Sequence, residues 1–207
     1  MLSPFRLCYI TDRHALEPRP LFPLIEEAVQ AGIDLIQLRE KDLPTRELLQ
    51  LAASAVAAAK GSGTRIVVND RLDIALVAGA DGVHLGTQSI PARAVWNIVP
   101  EGFLIGVSCH SRQDVLAAEA AGADYVVLGP IFETPSKFAY GPPLGLDVLR
   151  DTASDARIPL LALGGISVER VRACLDAGAS GIAGIRIFQD AGSFEVRMRE
   201  LRAQFPP

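Results

Sequence analysis

The chain has 207 residues, 49% of them hydrophobic, which suffices for one sizeable core spanning residues 1–207, and no shift in composition marks a second. Its 20 Lys and Arg against 24 Asp and Glu leave a net charge of -4 with no basic block, which argues against nucleic acid as a partner. No stretch of about 18 uncharged apolar residues occurs, and no basic leader with a cleavage site precedes "FRLCYITD", so the expectation is a soluble cytoplasmic protein without a membrane partner.

Four self-similar segments organise the chain: "AGIDLIQLRE" from Ala31, "AGADGVHLGT" from Ala78, "AGADYVVLGP" from Ala121 and "AGASGIAGIR" from Ala177. In each, Ala-Gly closes an amphipathic stretch with a residue suited to the left-handed cap, a small or acidic turn follows, and a short apolar run of strand type comes next. The repeats stand too far apart for one helix and one strand each. Other apolar runs fall between them: "RLCYIT" from Arg6, "RIVVN" from Arg65, "LIGVS" from Leu104 and "IPLLALGG" from Ile158. Helical periodicity fills the intervals, as in "PTRELLQLAASAVAAAK" from Pro44, "SRQDVLAAEAAG" from Ser111 and "SVERVRACLDAG" from Ser167. Eight strands alternating with helices, at about 26 residues per unit, predict a minimal single-domain (β/α)8 TIM barrel. A doubly wound open sheet would more often carry a glycine fingerprint after its first strand, and "ITDRHALE" has none. Cys8, Cys109 and Cys174 are odd in number and far apart, which fits buried reduced thiols.

A barrel of this kind gathers its active site at the carboxyl ends of the strands, and the unusual polar residues fall there. After the second strand, "QLREK" sets Gln37, Arg39 and Lys41 on one face of an extended chain, with Leu38 and Glu40 on the other. Arg39 in the mouth calls for an anionic ligand or for a structural ion pair within the rim. The third strand ends in Asn69, a ligand donor, and Asp70, which is either an oxygen ligand for a divalent cation or a helix cap. Gly106, Ser108 and His110 share a face of the fifth strand, where the two small residues leave room for a ligand. Ser111 reads as a helix cap, and His110 as either an acid/base group or a polar rim residue. His84 and His14 read as structural. Gly164, Gly165 and Gly184, at the ends of the last two strands, suit close backbone approach to a phosphate. Thr134, Ser136 and Lys137 follow the sixth strand and offer hydroxyls and a cation to a second anionic group.

Taken together, "YITD", "QLREK", "NDRLDIALVAGADGVHLG", "GVSCHS", "GADYVVLGPIFETPSK" and "IPLLALGGIS" resemble the thiamine-phosphate synthase and TenI family, in the same order and over nearly the whole chain. The resemblance implies that a hydroxymethylpyrimidine diphosphate loses diphosphate and is captured by the nitrogen of a thiazole phosphate. Magnesium and cationic residues would stabilise the departing group. On this resemblance Gln37, Arg39, Lys41, Asn69, Ser108, Thr134, Ser136 and Lys137 match pyrimidine and diphosphate contacts. Asp70 matches a magnesium ligand and Gly165 a thiazole-phosphate contact.

Two positions depart from the family pattern. Ser89, in "HLGTQSIP", stands where a second magnesium aspartate is usual, and a neutral hydroxyl is the poorer ligand. Arg186 replaces a serine after the eighth strand and would either bind the thiazole phosphate or crowd it. Both lean toward the TenI branch, so a thiazole tautomerase using His110, or a non-catalytic phosphate-ligand regulator, stands as the alternative to the synthase. The histidine that some tautomerases carry at the position of Pro130 is absent. A homo-oligomer is compatible with the reading.

Overall fold

The acidic turn residues of the sequence repeat turn out to fasten neighbouring strands together. In the computed structural model, which describes residues 5–16, 18–134 and 142–206, eight parallel strands close into a barrel in chain order. They are β1 (Leu7–Ile10), β2 (Leu35–Leu38), β3 (Arg65–Asn69), β4 (Gly82–Leu85), β5 (Leu104–Cys109), β6 (Tyr125–Leu128), β7 (Leu160–Leu163) and β8 (Gly181–Gly184). At the amino end of the barrel, Asp81 donates its amide to the Ile66 carbonyl and accepts the Ile66 amide on its side chain, each at 2.8 Å. Asp124 does the same with Ile105, and Ser180 with Leu160. Asp34 Oδ2 accepts the Leu7 amide at 2.9 Å. An early amide of each odd strand faces the next strand before that ladder begins, and the turn side chain supplies the acceptor it would otherwise lack.

Helices α1 (Leu21–Gln30), α2 (Thr45–Ala59), α3 (Leu72–Ala78), α4 (Ala92–Trp96), α5 (Arg112–Ala120), α6 (Gly145–Asp155) and α7 (Val168–Asp176) connect the strands, and α8 (Arg186–Gln189) and α9 (Phe194–Arg202) follow β8. Their apolar stripes show why they pack outside the barrel. Leu48, Ala52, Ala55 and Ala59 of α2 recur at helical spacing and are buried. The Ala-Gly signal holds in all four repeats, with Gly32, Gly79, Gly122 and Gly178 at positive φ. Ser111 caps α5, accepting the Asp114 amide at 3.1 Å.

Residues of the strands alternate between two cores. Leu7, Tyr9, Ile36, Leu38, Val68 and Leu85 face the helices, whereas Cys8, Ile10, Leu35, Val67, Leu104, Tyr125 and Leu161 fill the barrel. The three cysteines are free and buried, and burial pushes the Cys109 thiol up to about 12 and the Cys174 thiol up to about 11. They are packing residues, as expected. Among the described residues, no helix is long and apolar enough to cross a membrane.

Because Asp124 is the acceptor for a strand amide with no other route to one, Asp124→Ala is expected to lower stability by about 1–3 kcal/mol. Urea unfolding followed by circular dichroism measures it, and Asp124→Asn should recover part of the loss.

Candidate active site

Gln37, Asn69 and Asp70 form one hydrogen-bonded chain at the carboxyl rim. Asn69 Nδ2 donates to Asp70 Oδ2 at 2.8 Å, and Gln37 Nε2 donates to Asn69 Oδ1 at 2.9 Å. The carboxylate can only accept, so it sets the Asn69 amide, and Asn69 in turn sets Gln37. Gln37 Oε1 is left buried with no partner among the described residues. Leu38 packs outward, as the alternation requires, and Gln37 is 2% exposed on the inner face.

Asp70 has φ 60°, the one non-glycine residue with positive φ among the described residues. Its amide donates to the His84 carbonyl at 2.9 Å, which ties it to β4. The helix-cap alternative does not describe its carboxylate, since the N-cap position of α3 is Arg71 and carries no side-chain cap bond. Instead Asp70 Oδ1 accepts the Gly86 amide at 3.3 Å and the Ser89 hydroxyl. The two positions expected to share a metal thus lie in direct contact.

Arg39 is half-buried and forms no ion pair among the described residues, so the structural ion-pair alternative finds no partner. Its backbone is fixed: the Arg39 amide donates to Thr11 Oγ1 at 2.9 Å, and that hydroxyl donates to Glu40 Oε1 at 2.6 Å. Glu40, passed over in the sequence, is 4% exposed and also accepts from Arg13 at 3.2 Å. A carboxylate on an otherwise apolar face is the signal that pointed to such an anchor. Hydrogen bonds from Arg13 and then His14 hold the Asp42 carboxyl below its usual range, lacing the first two loops together. Lys41 departs from expectation. The extended chain ends at Leu38, and Lys41 lies exposed in a turn, so strand alternation does not set its direction.

Gly106 also needs correction. It does not open space for a ligand, because a Cβ there would lie 2.1 Å from Tyr125 Cζ: the tyrosine ring already occupies the place. Tyr125 Oη is 3.1 Å from His84 Nδ1, and His84 Nε2 is 2.8 Å from Ser108 Oγ. Burial pulls His84 down to about 4, Asp70 opposing the shift and Arg39 adding to it, so the ring is neutral near pH 7. His84 is structural as expected, and it touches a candidate ligand residue. His110 Nδ1 donates to the Gly129 carbonyl at 2.6 Å, and its amide bonds Asp114.

On the far side of the rim, Gly164 and Gly165 have φ 98° and 62°. Cβ atoms there would lie 2.7 Å from Pro130 Cα and 2.5 Å from the Glu133 carbonyl oxygen, so both glycines admit the loop after β6. Arg170, which the sequence reading missed, fastens that junction by donating to the Gly165 carbonyl at 2.7 Å with its guanidinium 4.7 Å from the Phe132 ring centre. Gly184 belongs to the outward set of β8, and Ile187 Cγ2 lies 2.5 Å from the point where a Cβ would stand, so the isoleucine takes the space of a side chain. Arg186 is exposed at the start of α8, and Thr134 is half-buried after β6. Ser136 and Lys137 lie outside the described residues.

A closed parallel barrel with amide, hydroxyl, carboxylate and guanidinium groups converging at its carboxyl rim defines a (β/α)8-barrel enzyme. The chain belongs to the thiamine monophosphate synthase family, whose profile matches residues 7–188. It is 48% identical over 204 residues to a Geobacter sulfurreducens protein provisionally named thiamine-phosphate synthase, covering 98% of this chain and 95% of that one. It is 41% identical over 198 residues to the thiamine-phosphate synthase of Methanoculleus marisnigri, covering 96% and 94%. The solved thiamine phosphate pyrophosphorylase of Pyrococcus furiosus superposes with a TM-score of 0.86 at 34% identity, covering 97% of this chain and 95% of that one.

If the unpaired Gln37 oxygen serves a ligand, Gln37→Leu should leave the ligand-free protein within about 1 kcal/mol of wild type, since removing an unsatisfied buried acceptor offsets the bond lost to Asn69. A thermal melt without ligand checks it.

Proposed function

We propose that this barrel is a thiamine-phosphate synthase, joining an aminopyrimidine methyl diphosphate to a thiazole phosphate with release of diphosphate. The observation that carries the reading is Gln37 Oε1, a buried acceptor without a partner among the described residues, whose direction is fixed through Asn69 by Asp70. A ligand amino group supplies the missing donor, and the pyrimidine of this reaction has one. Ser108 and Asn69 are the other polar groups facing the ring.

The chemistry then needs charge stabilisation more than acid or base. As the carbon–oxygen bond to diphosphate breaks, negative charge accumulates on the leaving group, and fixed cations lower that barrier. Arg39 is suited to this role because its backbone is fastened through Thr11 and its guanidinium is not committed to an ion pair among the described residues. Lys41 and Lys137 are assigned the same role, and Thr134 and Ser136 hydrogen-bond the diphosphate. Gly164 and Gly165 receive the thiazole phosphate, with Arg186 at the edge of that site; Gly184, expected there too, faces outward against Ile187 and is left out of it.

Asp70 and Ser89 present a hard oxygen pair in contact, and no cluster of three His, Cys, Asp or Glu residues able to hold a metal occurs among the described residues. That donor set fits magnesium, which commonly takes one or two carboxylates and completes its shell with water and substrate phosphate. Bound there, the ion would neutralise charge on the diphosphate. Asp70 and Ser89 would hold it, and Asn69 and the Gly86 amide would keep the carboxylate oriented.

The deciding assay is diphosphate release from the pyrimidine diphosphate by purified protein, with and without thiazole phosphate and magnesium. A tautomerase or a regulator would release none. Arg39→Ala should lower turnover by about 10²-fold or more while shifting stability by no more than about 0.5 kcal/mol; a large fall in ligand-free melting temperature would count against this role. Ser89→Asp should raise magnesium affinity, and Asp70→Ala should abolish it, in calorimetric titrations carried out with diphosphate present. Turnover indifferent to a chelator would remove the magnesium assignment.

A further inference from the structure

Strands β4, β5 and β6 stand in a register that sets His84 beside Gly106 and Gly106 beside Tyr125. With no side chain at Gly106, the Tyr125 ring crosses over β5 and reaches the imidazole. The imidazole in turn reaches Ser108, two residues nearer the mouth. Tyr125 is 0% and His84 1% exposed, so each proton in the chain must find its acceptor within it.

Two arrangements of those protons are conceivable. With the imidazole proton on Nδ1, the ring would donate to the Tyr125 oxygen, and the phenol proton would lie buried with no other acceptor among the described residues. With the proton on Nε2, the phenol donates to Nδ1 and the imidazole donates to Ser108 Oγ, so that every buried donor is satisfied. In this second arrangement the serine already accepts from His84, which leaves its own proton free to be donated elsewhere.

We propose that Tyr125 and His84 are positioning residues that make Ser108 a hydrogen-bond donor to the ligand, so that the barrel floor selects a heterocycle presenting an acceptor atom there. The identity of that heterocycle rests on the synthase reading. The direction of the hydrogen bonds does not. A donor at Ser108 and an acceptor at Gln37 Oε1 together suit an aminopyrimidine, with its ring nitrogen and amino group, and oppose the oxo counterpart, in which both polarities are reversed. The discrimination lies two side chains below the serine, in residues that do not touch the ligand.

The test measures binding rather than turnover. Calorimetry would compare the unreactive monophosphate of the aminopyrimidine alcohol with its oxo counterpart, for wild type, Tyr125→Phe, Ser108→Ala and the double variant. Wild type should prefer the amino compound. Tyr125→Phe should reduce that preference by about 3- to 10-fold, the effect of one neutral hydrogen bond, and should change nothing further once Ser108 is alanine. Nitrogen NMR of the ligand-free protein should find the His84 proton on Nε2, with the Nδ1 resonance shifted in Tyr125→Phe by loss of the bond it accepts. An Nδ1 proton in wild type, or an equal change in preference with and without the serine hydroxyl, would overturn the proposal. If neither pyrimidine binds, the synthase reading fails, and the imidazole spectrum alone decides the direction of the bond to Ser108.

Discussion

The reciprocal bonds that Asp81, Asp124 and Ser180 make with Ile66, Ile105 and Leu160, together with the Asp34 bond to Leu7, hold the amino-terminal end of the barrel. Strands of four to six residues have few ladder bonds each, and these side chains supply the acceptor that the odd-strand amides would otherwise lack. They do so at the end of the barrel opposite the candidate site. With that end secured, the carboxyl rim carries a left-handed aspartate and, among the described residues, a buried acceptor without a partner and a guanidinium outside any ion pair.

Between those two ends lies an interior of only a few layers. Leu35, Val67, Leu104 and Leu161 fill its lower part with apolar side chains, and Tyr125 closes it above Gly106. Toward the carboxyl end polar side chains join this interior, Gln37 beside the apolar Ile10 and Ser108 beside Val127, together with Asn69 and His84. The hydrogen-bonded side chains thus enter only one part of the interior, beside residues that continue the apolar filling. His84 links the two, with the buried Tyr125 phenol on one side and the Ser108 hydroxyl on the other.

The strands, their number and their closure were legible because the repeat has a local cause. Ala-Gly sets the left-handed helix end, and the next polar residue hooks the adjacent strand, so the pattern survives without knowledge of tertiary contacts. Strand alternation likewise put Gln37 inward and Leu38 outward. It failed at Lys41, because the extended segment stops three residues earlier. It also could not show that the vacancy at Gly106 is filled from the next strand, or that Glu40 is answered by Thr11 and Arg13. Those contacts depend on inter-strand register and on side-chain length, which no window of sequence contains. The family resemblance brought Asp70 and Ser89 together on paper, and the folded chain puts them in contact.

Asp70 adopts a backbone conformation that side chains other than glycine, asparagine and aspartate enter only at a cost of about 1 kcal/mol or more. The residues the backbone tolerates best there are therefore few, and two of the three carry no charge. A drift from aspartate to glycine would even relax the chain while deleting the carboxylate on which Asn69, Ser89 and the Gly86 amide converge. At this position the backbone gives no preference to the carboxylate over its uncharged replacements: a single substitution could disperse the rim groups gathered on Asp70 without any backbone penalty.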